Sequence, residues 1–282
     1  MWRGRAAHLR RFVRTFAIDP AYALDDAVED LCRRRERPAT AVDALRAPEW
    51  ERRLHERLDL PWPCAESAEA GAVWRAAAER LRRAGVAMGR GAFAGWDDGD
   101  PALARATWCA TRHLGPERVV ETGVARGITT ATILEALRRN GAGHLWSVDL
   151  PPPLRPELAV EVGLAVPAEL RDRWSLVSGT SRRRLPALLA ELGAIDLFLH
   201  DSLHTGRNIR FELERAWAAL RPGGVAIVDD VHLNDGFGTW AAGVPAGDRF
   251  VCLPDDERAL FAIVVRQSPG AGDGRSPARG LR

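Results

Sequence analysis

The stretch "RVVETGVARGITTATILEAL" (118–137) decides how the chain is read. Apolar residues run up to Thr122, break at Gly123 and Gly127, and resume at helical spacing. That order is strand, glycine turn, helix. The glycines let backbone approach a ligand closely, and the first turn of the helix offers its amides to negative charge. The pattern E-x-G-x-x-x-G is not the G-x-G-x-x-G dinucleotide fingerprint. A phosphate loop is also excluded, because all 40 basic residues are arginine and the loop needs a lysine.

Outward from this stretch the alternation continues. "HLWSVDL" (144–150), "WSLVSG" (174–179), "IDLFLHD" (195–201) and "VAIVDDV" (225–231) read as strands. "RRLPALLAELG" (183–193) and "NIRFELERAWAALRPGG" (208–224) read as the helices between them. Near-continuous apolar strands alternating with helices predict a mostly parallel sheet covered on both faces. "RFVCLPDDERALFAIVVRQ" (249–267) breaks the alternation and predicts a hairpin. Residues 268–282, rich in Gly, Pro, Ser and Arg, are expected to be a disordered tail.

Residues 1–99 have another texture. "PAYALDDAVEDLCRRRER" (20–37), "APEWERRLHERL" (47–58) and "EAGAVWRAAAERLRRAG" (69–85) are helical in spacing, with prolines between them. They predict a helical segment that caps a pocket or makes an oligomer contact. Asp100 and Pro101 then start a helix as cap and first-turn residue, so a second domain is expected over 100–267.

Composition narrows the function. A net charge of +2 with 28% charged residues gives no electrostatic reason to expect nucleic acid. No segment has the apolar length of a membrane span, and no signal-peptide pattern opens the chain. Cys32, Cys64, Cys109 and Cys252 are scattered with no CxxC, so neither a zinc knuckle nor a redox pair is expected, and a reducing cytoplasm is. Without lysine, a base for neutral pH must be histidine or a carboxylate.

Ligands of open parallel sheets bind beyond the carboxyl ends of the strands. Asp149 ends the second strand, where an acid can accept bonds from two ribose hydroxyls. Asp201 follows the fourth strand, and Asp229 and Asp230 follow the fifth. Three such carboxylates repel one another, and a hard cation such as Mg²⁺ relieves that repulsion. His204, three residues past Asp201, has an ordinary pKa near 6.5 that suits proton abstraction. His200 reads as structural and His232 as a reserve base, with Asn234 and Asp235 near the site. Trp96 and Trp240 are possible pocket walls, although ten tryptophans mostly imply packing.

These residues resemble the class I S-adenosylmethionine-dependent methyltransferases. The resemblance covers about residues 100–267 and rests on "ETGVARG", "VDL", "LRPGGVAIVDDV" and the terminal hairpin. It implies a Rossmann-like α/β fold of seven strands, the last inserted antiparallel. It also implies that Glu121, Gly123 and Gly127 surround the methionine part of the cofactor, that Asp149 holds the ribose, and that Gly179, Thr180 and Ser181 lie near adenine. Metal-dependent O-methyltransferases of the catechol type carry one acid after the fourth strand and an acidic pair or Asp-Asn after the fifth, but use a lysine base. D-x-x-H looks like the macrolide-sugar (macrocin and mycinose) type, in which the histidine takes the hydroxyl proton; here that is Asp201 and His204. The expected activity is Mg²⁺-dependent O-methylation of a small hydroxylated molecule, a glycosylated natural product or catechol-like diol. The alternatives are a metal-independent methyltransferase, a nicotinamide oxidoreductase (disfavoured by the glycine pattern) and a non-catalytic binding or scaffold protein.

Overall fold

A computed structural model describes residues 2–39, 43–89, 91–93, 95, 99–151, 153–254, 257 and 259–267. The expected tail, 268–282, and Trp96 lie outside them. Two helices open the chain, α1 (Trp2–Ile18) and α2 (Pro20–Arg33), the second capped by Asp19, which accepts from the Tyr22 amide. Then come β1 (Ala44–Arg46), α3 (Glu49–Arg57), α4 (Ser67–Arg83) and α5 (Pro101–Leu114). Asp100 caps α5 through the Ala102 amide at 2.7 Å, as the sequence suggested, and Gly115 ends the helix in the left-handed conformation.

The alternating part follows as β2 (Arg118–Thr122), α6 (Ile128–Asn140), β3 (His144–Asp149), β4 (Trp174–Ser178), α7 (Ser181–Leu192), β5 (Ile195–His200), α8 (Gly206–Ala219) and β6 (Leu220–Val228). A short α9 (Gly236–Ala241) and the hairpin β7 (Arg249–Leu253) and β8 (Phe261–Val265) complete it. The strand order is β1-β7-β8-β6-β5-β2-β3-β4. β2 through β6 are mutually parallel, and β8 lies antiparallel between β6 and β7. The α/β class and the antiparallel insertion are as expected.

The sheet has eight strands rather than seven. The extra strand, β1, comes from the segment read as wholly helical and pairs in parallel with β7, Leu45 opposite Cys252. Three residues are too short a run to carry a period-two signal. Residues on both sides of 99/100 share one core. Trp50 and Leu54 of α3 and Leu81 of α4 are fully buried in one core with Leu103, Ile133, Leu134 and Ile227. Trp50 meets Phe261 edge-on at 5.5 Å, and burying a large side chain of this kind contributes about 1.5–3 kcal/mol.

Alternation along each strand serves two layers. Val119, Leu197, Leu199 and Ile227 face α3–α6, whereas Val120, Phe198 and Ala226 face α7–α9. Both faces are covered, so the strand ends, and not the faces, present loops to a ligand.

Candidate active site

The carboxyl ends of β2, β3, β5 and β6 form one edge. At β2, Glu121 is fully buried and accepts from Thr130 Oγ1 at 2.9 Å and Ser147 Oγ at 2.6 Å, while its Oε1 has no hydrogen-bond partner. Desolvation pushes Glu121 up to about 8. The glycine loop follows. Gly123 (φ +85°) lies so close to the loop after β5 that a Cβ would stand 1.8 Å from the Asp201 carbonyl oxygen. Gly127 (φ +82°) is pressed against Gly163, where a Cβ would meet the Gly163 Cα at 2.8 Å. The expected need for backbone proximity is real at both positions, but the near neighbour is the protein's own chain.

Asp149 uses Oδ2 to accept from the amides of Val124 and Ala125, at 3.2 and 3.0 Å. It therefore shapes the glycine loop whatever else it binds. Gly179 donates its amide to the Asp149 carbonyl at 3.0 Å. Thr180, the residue before α7, keeps a buried Oγ1 without a partner, and Ser181 begins the helix. Arg126, inside "GVARG", was not singled out from sequence. It is buried, pairs with Glu161 at 2.8 Å and donates to the carbonyls of Ala87 and Ala92 at 2.6 and 3.0 Å. It ties the N-terminal half of the chain to the loop.

Asp201 and Asp229 come together at this edge, with His204 beside them. The Asp201 amide donates to the Thr122 carbonyl and the Asp229 amide to the His200 carbonyl, so continued sheet pairing places the two side by side. Ligand atoms of Asp201, Asp229 and His204 all lie within 4.8 Å of one another. Asp230, held at φ +53°, approaches His204 Nε2 with Oδ2 at 3.6 Å, and Asp201 Oδ1 is 3.7 Å from the same nitrogen. Desolvation, then the charges of neighbouring carboxylates, pushes Asp201 and Asp229 well above the usual carboxylate range. Asp100 contributes to both shifts, so the α5 cap is a further acid near Asp201 and Asp229 that spacing did not reveal.

His204 departs from its ordinary pKa. Desolvation, reinforced by His200, lowers it to about 3, so the ring is neutral throughout the physiological range. His200 is structural, as read: it is fully buried, and its Nδ1 donates to Glu212 at 2.6 Å. His232 Nδ1 accepts from the Leu260 amide at 3.2 Å and lies 3.7 Å from Asp230. Asn234 supports the site from behind, donating to the His204 carbonyl at 3.0 Å. The Asp235 amide donates to the Arg37 carbonyl. Trp240 packs edge-on against Trp217 at 5.5 Å, in the layer of α8 and α9.

Glu212, in the middle of α8, is the hub that sequence reasoning missed. It is fully buried and accepts from His200, from Ser202 Oγ at 2.7 Å, from Asn208 Nδ2 at 2.8 Å and from Thr122 Oγ1. Burial works to raise its pKa. The charge of His200 and hydrogen bonds from His200, Ser181 and Thr122 outweigh burial and hold it at about 2. Its position was a signal: Ile209, Leu213 and Ala216 form the buried face, and Glu212 falls on that face.

The donor set after β5 and β6 fits a hard divalent cation. The close group consists of the Asp201 and Asp229 carboxylates with the His204 imidazole, and the buried Asp229 Oδ1 has no hydrogen-bond partner.

Residues 120–231 match a family model described as a methyltransferase domain. No curated protein sequence matches the chain. Among solved structures, an O-methyltransferase from Bacillus cereus in complex with SAH aligns with TM-score 0.50 at 14% identity, covering 70% of this chain and 91% of that one. TomG from Streptomyces achromogenes, an O-methyltransferase involved in tomaymycin synthesis and solved with SAM, aligns with TM-score 0.47 at 16% identity, covering 70% and 90%.

Proposed function

With a methyltransferase domain over residues 120–231 on the class I α/β fold, we propose that the chain transfers a methyl group from S-adenosylmethionine to a hydroxyl oxygen of a small molecule. The observation that carries this reading is the gathering of Asp201, Asp229 and His204 within 4.8 Å, beside the glycine loop. Glu121, Gly123 and Gly127 take the methionine end of the cofactor, Asp149 the ribose, and Gly179, Thr180 and Ser181 the adenine. Unpaired polar atoms at Glu121 Oε1 and Thr180 Oγ1 support two of these assignments.

Asp201, Asp229 and Asp230 would hold Mg²⁺. A bound divalent cation supplies an electrophile that lowers the pKa of an acceptor hydroxyl and fixes its oxygen. The protein does the rest by positioning. His204 offers Nε2 as the acceptor of the hydroxyl proton. It is neutral, but burial holds its pKa to about 3 and makes it a weak base in the free chain, so the role requires that pKa to rise when the acceptor is bound. His204 Nε2 lies 3.7 Å from Asp201 Oδ1 and 3.6 Å from Asp230 Oδ2, beside the proposed cation. A second reading has one observation in its favour: the His204 nitrogen belongs to the same close group, as a ligand would.

Glycosylated natural products or catechol-like diols suit such a site, and the reading places the chain in the cytoplasm, in secondary metabolism. No helix among the described residues is long and apolar enough to cross a membrane. The outer faces of α1 and α2 carry Leu9, Val13, Phe16, Leu24, Val28 and Leu31, each between 43% and 64% exposed. At helical spacing these form an apolar stripe that supports self-association.

Calorimetry with S-adenosylmethionine and Mg²⁺, followed by S-adenosylhomocysteine release over a panel of phenols, diols and glycosides, tests the proposal. Failure to bind S-adenosylmethionine refutes it, and turnover undiminished by EDTA removes the metal. His204→Gln separates the two histidine roles. As base, its loss lowers kcat about 10²–10⁴-fold with Mg²⁺ affinity unchanged; as ligand, its loss lowers the affinity.

A further inference from the structure

A second cluster of ligating side chains lies on the other side of the sheet from α7–α9. His55 near the end of α3, Cys64 in the following loop, and Cys109 and His113 on α5 bring their donor atoms within 4.8 Å of one another. Cys109 and His113 are four residues apart and so share one helix face. Cys64 Sγ lies 3.4 Å from Cys109 Sγ and 3.3 Å from His113 Nε2, and Cys109 Sγ lies 3.4 Å from His55 Nε2. His55, Cys64 and Cys109 are buried.

We propose that these four residues form a structural zinc site of the Cys₂His₂ class, joining the N-terminal segment to the methyltransferase core. Zinc takes thiolates at ~2.3 Å and imidazoles at ~2.0–2.1 Å in a tetrahedron, whose edges are then about 3.4–3.8 Å. The three measured edges come within about 0.4 Å of that figure. The surroundings of His55 agree. His55 Nδ1 is 2.6 Å from the Pro61 carbonyl oxygen, which can only accept. The proton therefore sits on Nδ1, and the Nε2 lone pair points at the cluster, the arrangement that orients metal-bound imidazoles. Trp62 closes over His55 edge-on at 5.3 Å. Four protein ligands leave no open position, so the role is structural and not catalytic. Soft thiolates select zinc, whereas the carboxylates at the sheet edge select magnesium or calcium. On binding, the two thiol protons pass to solvent.

The cysteines are scattered in sequence, yet Cys64 and Cys109 lie 3.4 Å apart in the fold. His55 and Cys64 contribute from one segment and Cys109 and His113 from another, a split that a search for CxxC does not see.

The test is metal content of the full chain, purified under reducing conditions without a histidine tag and dialysed against Mg²⁺. The expected result is about one zinc per chain. Metal-free protein should bind Co²⁺ with the intense visible absorption of a tetrahedral dithiolate site, and Zn²⁺ should raise its Tm. His113→Gln should lose the zinc, while Asp229→Asn should keep it, which separates this site from the proposed active site. Zinc-free wild-type protein that stays folded and takes up neither Zn²⁺ nor Co²⁺ overturns the proposal. So does a Cys64–Cys109 disulfide found by mass spectrometry in the reductively purified chain. Because the wild-type measurement decides alone, a variant that fails to fold does not rescue the idea.

Discussion

Replacing Glu212 by glutamine keeps the shape of a buried hub and removes its charge. The carboxylate holds a pKa of about 2 against an ordinary 4.5. That shift of about 2.5 units corresponds to about 3 kcal/mol in favour of the folded chain at neutral pH. Glutamine also offers one acceptor oxygen where four side chains now donate to two. For a chain of this size, about 3 kcal/mol is about 6–12 °C in Tm. The pH dependence is specific. A depressed carboxylate pKa contributes stability that is fully present above 4.5 and lost as pH falls through about 2. The gap between wild type and Glu212→Gln should therefore roughly halve between pH 5 and pH 3. Denaturant unfolding at fixed pH values measures it. A gap under about 1 kcal/mol at pH 7, or one that does not narrow between pH 5 and 3, refutes the assignment of Glu212 as an ionised hub. Ser202 and Asn208 lie at either end of the loop that carries His204, so the same variant should lower kcat more than it raises KM.

Other expectations follow from single contacts. Gly123→Ala places a methyl 1.8 Å from a backbone oxygen at φ +85°; loss of about 3 kcal/mol or more, or failure to fold, is expected in thermal melts. Asp229→Asn removes a carboxylate whose pKa is raised by burial and by Asp201. A raised carboxylate costs stability as pH climbs, so without divalent cation this variant should melt above wild type at pH 8, while Mg²⁺ should no longer raise its Tm. Val13→Glu breaks the apolar stripe of α1 and should convert any dimer to monomer in light scattering; an unchanged mass places the contact elsewhere.

Much of the sheet and its working edge was legible because both depend on local pattern. The glycine break at 123, the acids at strand ends and the antiparallel hairpin each sit within a few residues of the signal that reports them. What escaped depends on distant packing. Asp100 looked like a helix cap, which it is, and its nearness to Asp201 comes only from how α5 crosses the sheet end. Glu212 resembled one more charge on an amphipathic helix until its face was known to be buried. His204 was assigned an ordinary pKa because burial cannot be read from D-x-x-H. Asp149 kept the position expected of a ribose ligand, yet one of its oxygens is spent on the loop it follows.

The pairing of β1 with β7 sets an order on assembly. Leu45 and Cys252 are neighbours in the sheet but lie at opposite ends of the chain. On a ribosome, residues 44–57 emerge long before their partner strand exists, so the edge of Trp50 that meets Phe261 stays uncovered until the hairpin is made. Closing so long a loop is slow, and it completes only when the hairpin arrives. A segment made early is thus completed late, and β1 shields the edge of β7 from pairing with another chain. Losing the C-terminal hairpin would undo both ends of the protein at once.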